Sequence, residues 1–201
     1  PGCKIINIIM FRNNIIGRLP KSIANLDTFR LELDCNYICG GLEDVVKNIK
    51  LDYLSLPYNY LEGQIPDVAF ENMILLNLSN NKLSGSLPNS LGNLKKLTSL
   101  SLQYNSLSGT IPESFKNLNL TLFYINNNMV GGDITNTLEN MNYLNMLDLS
   151  YCRFTGSLPN LNSAWLWGAY LRNNNFNGDI PDSWKSLTNL YVMDLGVNKV
   201  S

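Results

Sequence analysis

Residues 76–88 read LNLSNNKLSGSLP, and residues 100–112 read LSLQYNSLSGTIP. Two lines so alike make internal repetition the first property to test. Aligned on the asparagine four residues before the glycine, the copies fall at Asn13, Asn36, Asn59, Asn81, Asn105, Asn128, Cys152, Asn174 and Asn198. Neighbouring copies lie 22 to 24 residues apart, with no unrelated block between them. Six of the eight prolines close a line of the frame: Pro20, Pro66, Pro88, Pro112, Pro159 and Pro181. Glycines recur in register at Gly17, Gly40, Gly63, Gly85, Gly109, Gly132, Gly156 and Gly178.

The frame L-x-x-L-x-L-x-x-N-x-L-x-G-x-I-P, with about eight further residues, has the period and wording of a leucine-rich repeat. Each element has a physical reason. In a short strand the side-chain period is two, so Leu76 and Leu78 point inward and Asn77 and Ser79 outward. Asn81 turns the chain, and its buried amide needs partners. Adjacent repeats offer backbone at the same height, which predicts an asparagine ladder with Cys152 as a tolerated exception. Glycine permits a conformation that a Cβ obstructs, and proline suits the end of a second short strand. Pairs three apart, such as Leu91/Leu94, Phe115/Leu118, Leu138/Met141 and Trp184/Leu187, predict helical turns on the back. The expected fold is an α/β solenoid, a right-handed superhelix. It has a parallel concave sheet, a short second sheet and helical or 3-10 turns on the convex side.

A chain of 201 residues could form one or two ordinary domains, but the repeats read as one quasi-linear stack. We read residues 1–201 as a single domain of about nine repeats, truncated at both ends, because terminal repeats of such stacks carry polar caps. A net charge of −1 gives no footprint for nucleic acid. No apolar run is long enough for a membrane segment, and no signal peptide is visible. The chain has no histidine, and neither a metal nor a cofactor is implied. Cys35 and Cys39 lie four apart around a turn, where they either bridge or remain two thiols. Cys152 reads as a core thiol, and Cys3 as a partner for an upstream segment. The sequons NLS at Asn77 and NLT at Asn119 are candidate N-glycosylation sites.

The line LxxLxLxxNxLxGxIP, and stretches such as LDLSYCRFTGSLP, resemble the plant-type extracellular leucine-rich repeats. They are most like the ectodomains of plant receptor-like proteins and receptor kinases. The resemblance covers the chain essentially end to end. It implies secretion, to the outer face of the plasma membrane or the apoplast, and N-glycosylation. It implies recognition of a peptide, polysaccharide or protein, with a co-receptor ectodomain as a further partner, in immune or developmental signalling. The alternative it implies is a secreted inhibitor of microbial cell-wall-degrading enzymes, like the polygalacturonase inhibitors. The lines CNYICGGLED and NMVGGDIT depart from the pattern by lacking the proline.

Variable residues on the strand face would project side by side, about 4.8 Å apart. Between the inner leucines stand Ile9, Glu32, Ser55, Asn77, Ser101, Tyr124, Asp148, Tyr170 and Asp194. Before the ladder residue stand Arg12, Cys35, Tyr58, Asn80, Tyr104, Asn127, Tyr151, Asn173 and Val197. One position earlier come Phe11, Asp34, Gln103, Asn126 and Arg172, among others. Tyrosine and arginine are enriched at interface hot spots. We therefore expect a binding strip of Tyr58, Tyr104, Tyr124, Asp148, Tyr151, Tyr170 and Arg172. Against it stands the strand propensity of tyrosine, which stabilises sheets without a ligand. Ile6, Ile9 and Phe11 read as apolar contacts for an upstream repeat. Catalysis has little support without a histidine as general base. Ice binding would want a regular array of one short polar residue, unlike this mixture.

Overall fold

The computed structural model describes residues 7–25, 29–46, 51–67 and 72–201. Cys3 and Ile6 lie outside the described residues. Every repeat opens with a three-residue strand: Asn7–Ile9, Arg30–Glu32, Tyr53–Ser55, Leu75–Asn77, Ser99–Ser101, Leu122–Tyr124, Met146–Asp148, Gly168–Tyr170 and Val192–Asp194. They form one nine-stranded parallel sheet in strict chain order. Equivalent residues face each other across it, as in Leu76↔Leu100 and Leu147↔Ala169. Strands this short cannot hold register by their own hydrogen bonds. Register is set by burial, since a slip of one residue would turn the leucines outward.

The core is built from leucine positions that recur in each repeat. Leu31, Leu54, Leu76, Leu100, Phe123, Leu147 and Ala169 sit in the strand centres and are sealed from solvent. Leu33, Leu56, Leu78, Leu102, Ile125, Leu149 and Leu171 follow two residues later and are equally buried. Each full burial of such a side chain is worth about 1.5–3 kcal/mol. The proline-led segments close the back. The 3-10 helices Asn89–Asn93, Glu113–Asn117 and Asp182–Ser186 each begin after a proline. The proline carbonyl accepts the first turn bond, as in Phe115 N–H to Pro112 O at 3.0 Å. Proline therefore starts the back turn as well as following the second strand. Leu138/Met141 is a hydrogen-bonded turn, with both residues buried.

The second sheet departs from expectation in being two sheets. One joins Ile16–Arg18, Tyr37–Gly40, Tyr60–Gln64, Lys82–Ser86 and Ser106–Ser108; the other joins Gly131–Asp133, Arg153–Ser157, Asn175–Gly178 and Lys199–Val200. At the junction only the Thr110↔Gly131 bridge and bonds such as Met129 N–H to Leu107 O, at 2.7 Å, carry the register across. The break falls where Asn128 is followed by MVGGDIT, and glycine is a weak strand former.

Candidate recognition surface

The turn that ends each main strand is held by the ladder asparagine. Asn59 Oδ1 accepts from Ile38 N–H at 2.9 Å, and its Nδ2 donates to Leu33 O at 3.0 Å and Leu56 O at 3.2 Å. Asn36, Asn81, Asn105, Asn128, Asn174 and Asn198 repeat this pattern. Asn13 differs: its Nδ2 donates to Phe11 O, and its backbone N–H donates to Asn36 Oδ1. The bonds run from side chain to the backbone of the same and the preceding repeat, not from one asparagine side chain to the next. At Cys152 weaker sulfur bonds take their place, Sγ donating to Ile125 O at 3.4 Å and accepting from the Asn128 N–H. Burial pushes that thiol up to about 12, which keeps it protonated.

The residue before the ladder position adopts left-handed backbone in every described repeat. Arg12, Cys35, Tyr58, Asn80, Tyr104, Asn127, Tyr151, Asn173 and Val197 all have φ between 53° and 58°. Asparagine is at home there, as at Asn80, Asn127 and Asn173, whereas tyrosine is not. Yet Tyr58, Tyr104 and Tyr151 occupy it with 59%, 53% and 48% of their surface exposed. Strand propensity cannot explain them, because this position is not extended. Cys35 and Cys39 are free thiols, so the bridge weighed above is not formed. Cys35 sits in the left-handed turn while Cys39 lies in the Tyr37–Gly40 strand of the flanking sheet, and each is fixed by its own backbone.

The middle column of the sheet face is more recessed. Ser55 and Ser101 are buried, and Asn77, Tyr124, Asp148, Tyr170 and Asp194 are half-buried. Ser79 and Asn126, expected to face outward, are also buried, because flanking strands wall in any side chain too short to clear them. Asn77 Oδ1 accepts from Ser79 N–H at 3.1 Å and Oγ–H at 2.8 Å, so this sequon asparagine is tied down. Asn119, in the other sequon, is exposed. Asp148 makes the same two contacts, accepting from Ser150 N–H at 2.9 Å and from Ser150 Oγ–H.

Cross-strand register brings Tyr124, Asp148, Tyr170 and Asp194 into one row. Burial raises the Asp148 carboxyl above its ordinary value, with Asp194 adding to the rise and the Ser150 bonds opposing it. Tyr124 is likewise raised by burial, then by Asp148 and Tyr170. Asp194 is paired with Arg172 at 3.6 Å, and Glu32 with Arg30 at 2.7 Å. Of the seven residues expected to form a strip, five share the rows around this face and Tyr58 and Tyr104 extend it towards the first repeats. Sequence reading missed a neighbouring cleft of about 370 Å³ lined by Tyr37, Tyr58, Tyr60 and Asn80, with Tyr37 stacked on Tyr60. The signal was present in Tyr37 and Tyr60, each one residue past a ladder asparagine.

A family model described as leucine rich repeat matches residues 49–107, and a second of the same description matches residues 143–164. No curated protein matches the sequence. Among solved structures, the ectodomain of the Arabidopsis receptor kinase HAESA, in complex with an N-terminally extended IDA peptide hormone, is 34% identical. That match covers 97% of this chain and 34% of the other, with a TM-score of 0.88. The PEPR1–AtPEP1 structure is 28% identical over 94% of this chain and 28% of that one, with a TM-score of 0.87. A plant ice-binding protein, 24% identical over 96% of this chain and 64% of its own, matches at 0.83 and is similar in fold alone. The chain spans about a third of the length of the two receptor structures. The nine stacked strands, the asparagine bonds and these likenesses together identify the chain as a leucine-rich repeat protein that resembles the ectodomains of plant leucine-rich repeat receptors.

Proposed function

We propose that the chain is an extracellular recognition module of a plant cell-surface receptor, and that it binds a peptide through the main-sheet face. The strip comprises Tyr58, Tyr104, Tyr124, Asp148, Tyr151, Tyr170 and Arg172. One observation carries the reading: three exposed tyrosines stand in left-handed backbone where asparagine serves the fold in other repeats. That conformation costs a non-glycine residue roughly 1–2 kcal/mol, and an exposed ring recovers little by packing. Large amphipathic rings on a rigid scaffold are what a hot spot requires. The HAESA and PEPR1 structures, solved with a peptide hormone and with AtPEP1, support a peptide as the ligand class. No helix among the described residues is long and apolar enough to cross a membrane. The face mixes Tyr, Asp, Asn and Arg, which favours recognition over ice binding or catalysis.

The test is a selection of random dodecapeptides displayed on phage against the full chain, followed by titration of the enriched peptides. Tyr124→Ala and Tyr170→Ala should each weaken binding by about 1–2 kcal/mol, and Tyr104→Ala similarly, with unchanged thermal melting. Unaltered affinity in all three variants, or no enriched peptide, would remove the reading.

A further inference from the structure

Asp148 is the one carboxylate in the row Tyr124–Asp148–Tyr170–Asp194 whose charge the chain leaves unanswered. Asp194 has Arg172, but no lysine or arginine among the described residues forms an ion pair with Asp148. Ser150 binds it and Asp194 repels it, while its neighbours Tyr124 and Cys152 carry no positive charge. Half-buried charge without a counter-charge is unfavourable, so the fold gains nothing from it.

Nor does the turn need a carboxylate. Three repeats earlier in the same column, Asn77 makes the same pair of bonds to Ser79 N–H and Oγ–H with a neutral amide. An amide therefore suffices to lock this strand end, and the negative charge at position 148 is surplus to it.

The flanking residues give that surplus charge a use. Tyr124 and Tyr170 stand on the two adjacent strands in direct register, one on each side of the shorter Asp148. Strand spacing puts their backbones about 10 Å apart, so the shorter Asp148 lies in a notch between two longer residues, with the edge of the Tyr170 ring over Gly168 on its own strand. This pairing of a carboxylate with a tyrosine already holds a guanidinium elsewhere on the same sheet. Arg30 donates from Nε to Glu32 Oε1 at 2.7 Å while its guanidinium carbon lies 4.8 Å from the Tyr53 ring centroid. Guanidinium suits such a site because it is planar, stacks on aromatic faces and stays charged.

Resting on the peptide-binding reading above, we propose that the Tyr124–Asp148–Tyr170 notch is the subsite for a basic side chain of the peptide ligand, an arginine by preference. The charge of Asp148 thereby sets specificity for one position of the peptide.

The test uses the dodecapeptides selected on the full chain. Asp148→Asn keeps the Ser150 bonds, as Asn77 keeps those to Ser79, so the variant should melt no lower than the parent. Selected peptides should carry arginine or lysine at one common position. Asp148→Asn, and replacement of that arginine by citrulline, should each lower affinity by tenfold or more. The two changes combined should lower it little further. Peptides that lose affinity with Tyr104→Ala or Tyr170→Ala, yet lack a shared basic position and bind Asp148→Asn as tightly, would overturn this subsite and leave the peptide-binding face standing. Peptides indifferent to every strip substitution would overturn both. Enrichment of acidic residues at the common position would overturn the subsite alone.

Discussion

Asparagine at the ladder position joins two repeats that have no covalent link nearer than a full turn of the solenoid. Asn105 accepts from Leu83 N–H and donates to Leu78 O and Leu102 O, so one side chain answers three backbone groups. Leucine is close in size and offers none of these bonds. Asn105→Leu should therefore lower stability by about 1–3 kcal/mol, read as a drop in the urea midpoint. A midpoint equal to the parent's would contradict the ladder account. Cys152 supplies the converse experiment. The N–H of Val130 stands where its equivalents Leu107 and Phe154 donate to Asn128 and Asn174, and Cys152 offers it only sulfur. Cys152→Asn should restore the bond and raise stability by roughly 0.5–2 kcal/mol, seen as a higher melting temperature. A lower one would mean that the neighbouring core has adapted to the thiol.

At the scale of elements, the repeats press close together at the back of the stack. The 3-10 helices Asn89–Asn93 and Glu113–Asn117 lie against each other. A Cβ placed on Gly92 would come within 2.3 Å of Ser114 Oγ and 2.5 Å of its carbonyl carbon. Gly92→Ala should cost about 1–3 kcal/mol by overpacking, measured by chemical denaturation. A neutral result would show that the two helices can slide apart. Lysine stands at the same distance past the proline in other repeats, as Lys116 and Lys185 do. The requirement for glycine is thus set by one neighbouring serine and is invisible in the repeat frame. The glycines of the second sheet are different. Gly85, Gly109 and Gly156 sit at φ of 76–78°, a conformation their fixed place in every line had implied.

At the scale of the whole molecule, the two sequons lie on different surfaces. Asn77 stands on the main-sheet face between buried Ser55 and Ser101, with its amide oxygen bonded to Ser79, whereas Asn119 is exposed beyond the Glu113–Asn117 helix. A bulky glycan fits the second and would crowd the first. Expressed through a eukaryotic secretory pathway, the chain should carry glycan at Asn119 and none at Asn77, checked by mass spectrometry of peptides after enzymatic deglycosylation. Occupancy at Asn77 would show that this part of the face is open and would move the binding strip elsewhere.

The linear order of residues was enough to fix the architecture. Period, alternation and turn chemistry all repeat, and each repeat makes the same local demands, so one line read correctly is nine lines read correctly. The candidate site was only half legible. Its columns follow from the frame, but which members emerge from the sheet depends on the size of the residues one repeat away. Ser79 and Asn126 are submerged for that reason, while Tyr104 stands clear. The exposure of Tyr58, Tyr104 and Tyr151, and the missing counter-ion of Asp148, are likewise properties of the stack. They arise between residues more than twenty positions apart, which meet only when one coil is laid on the next.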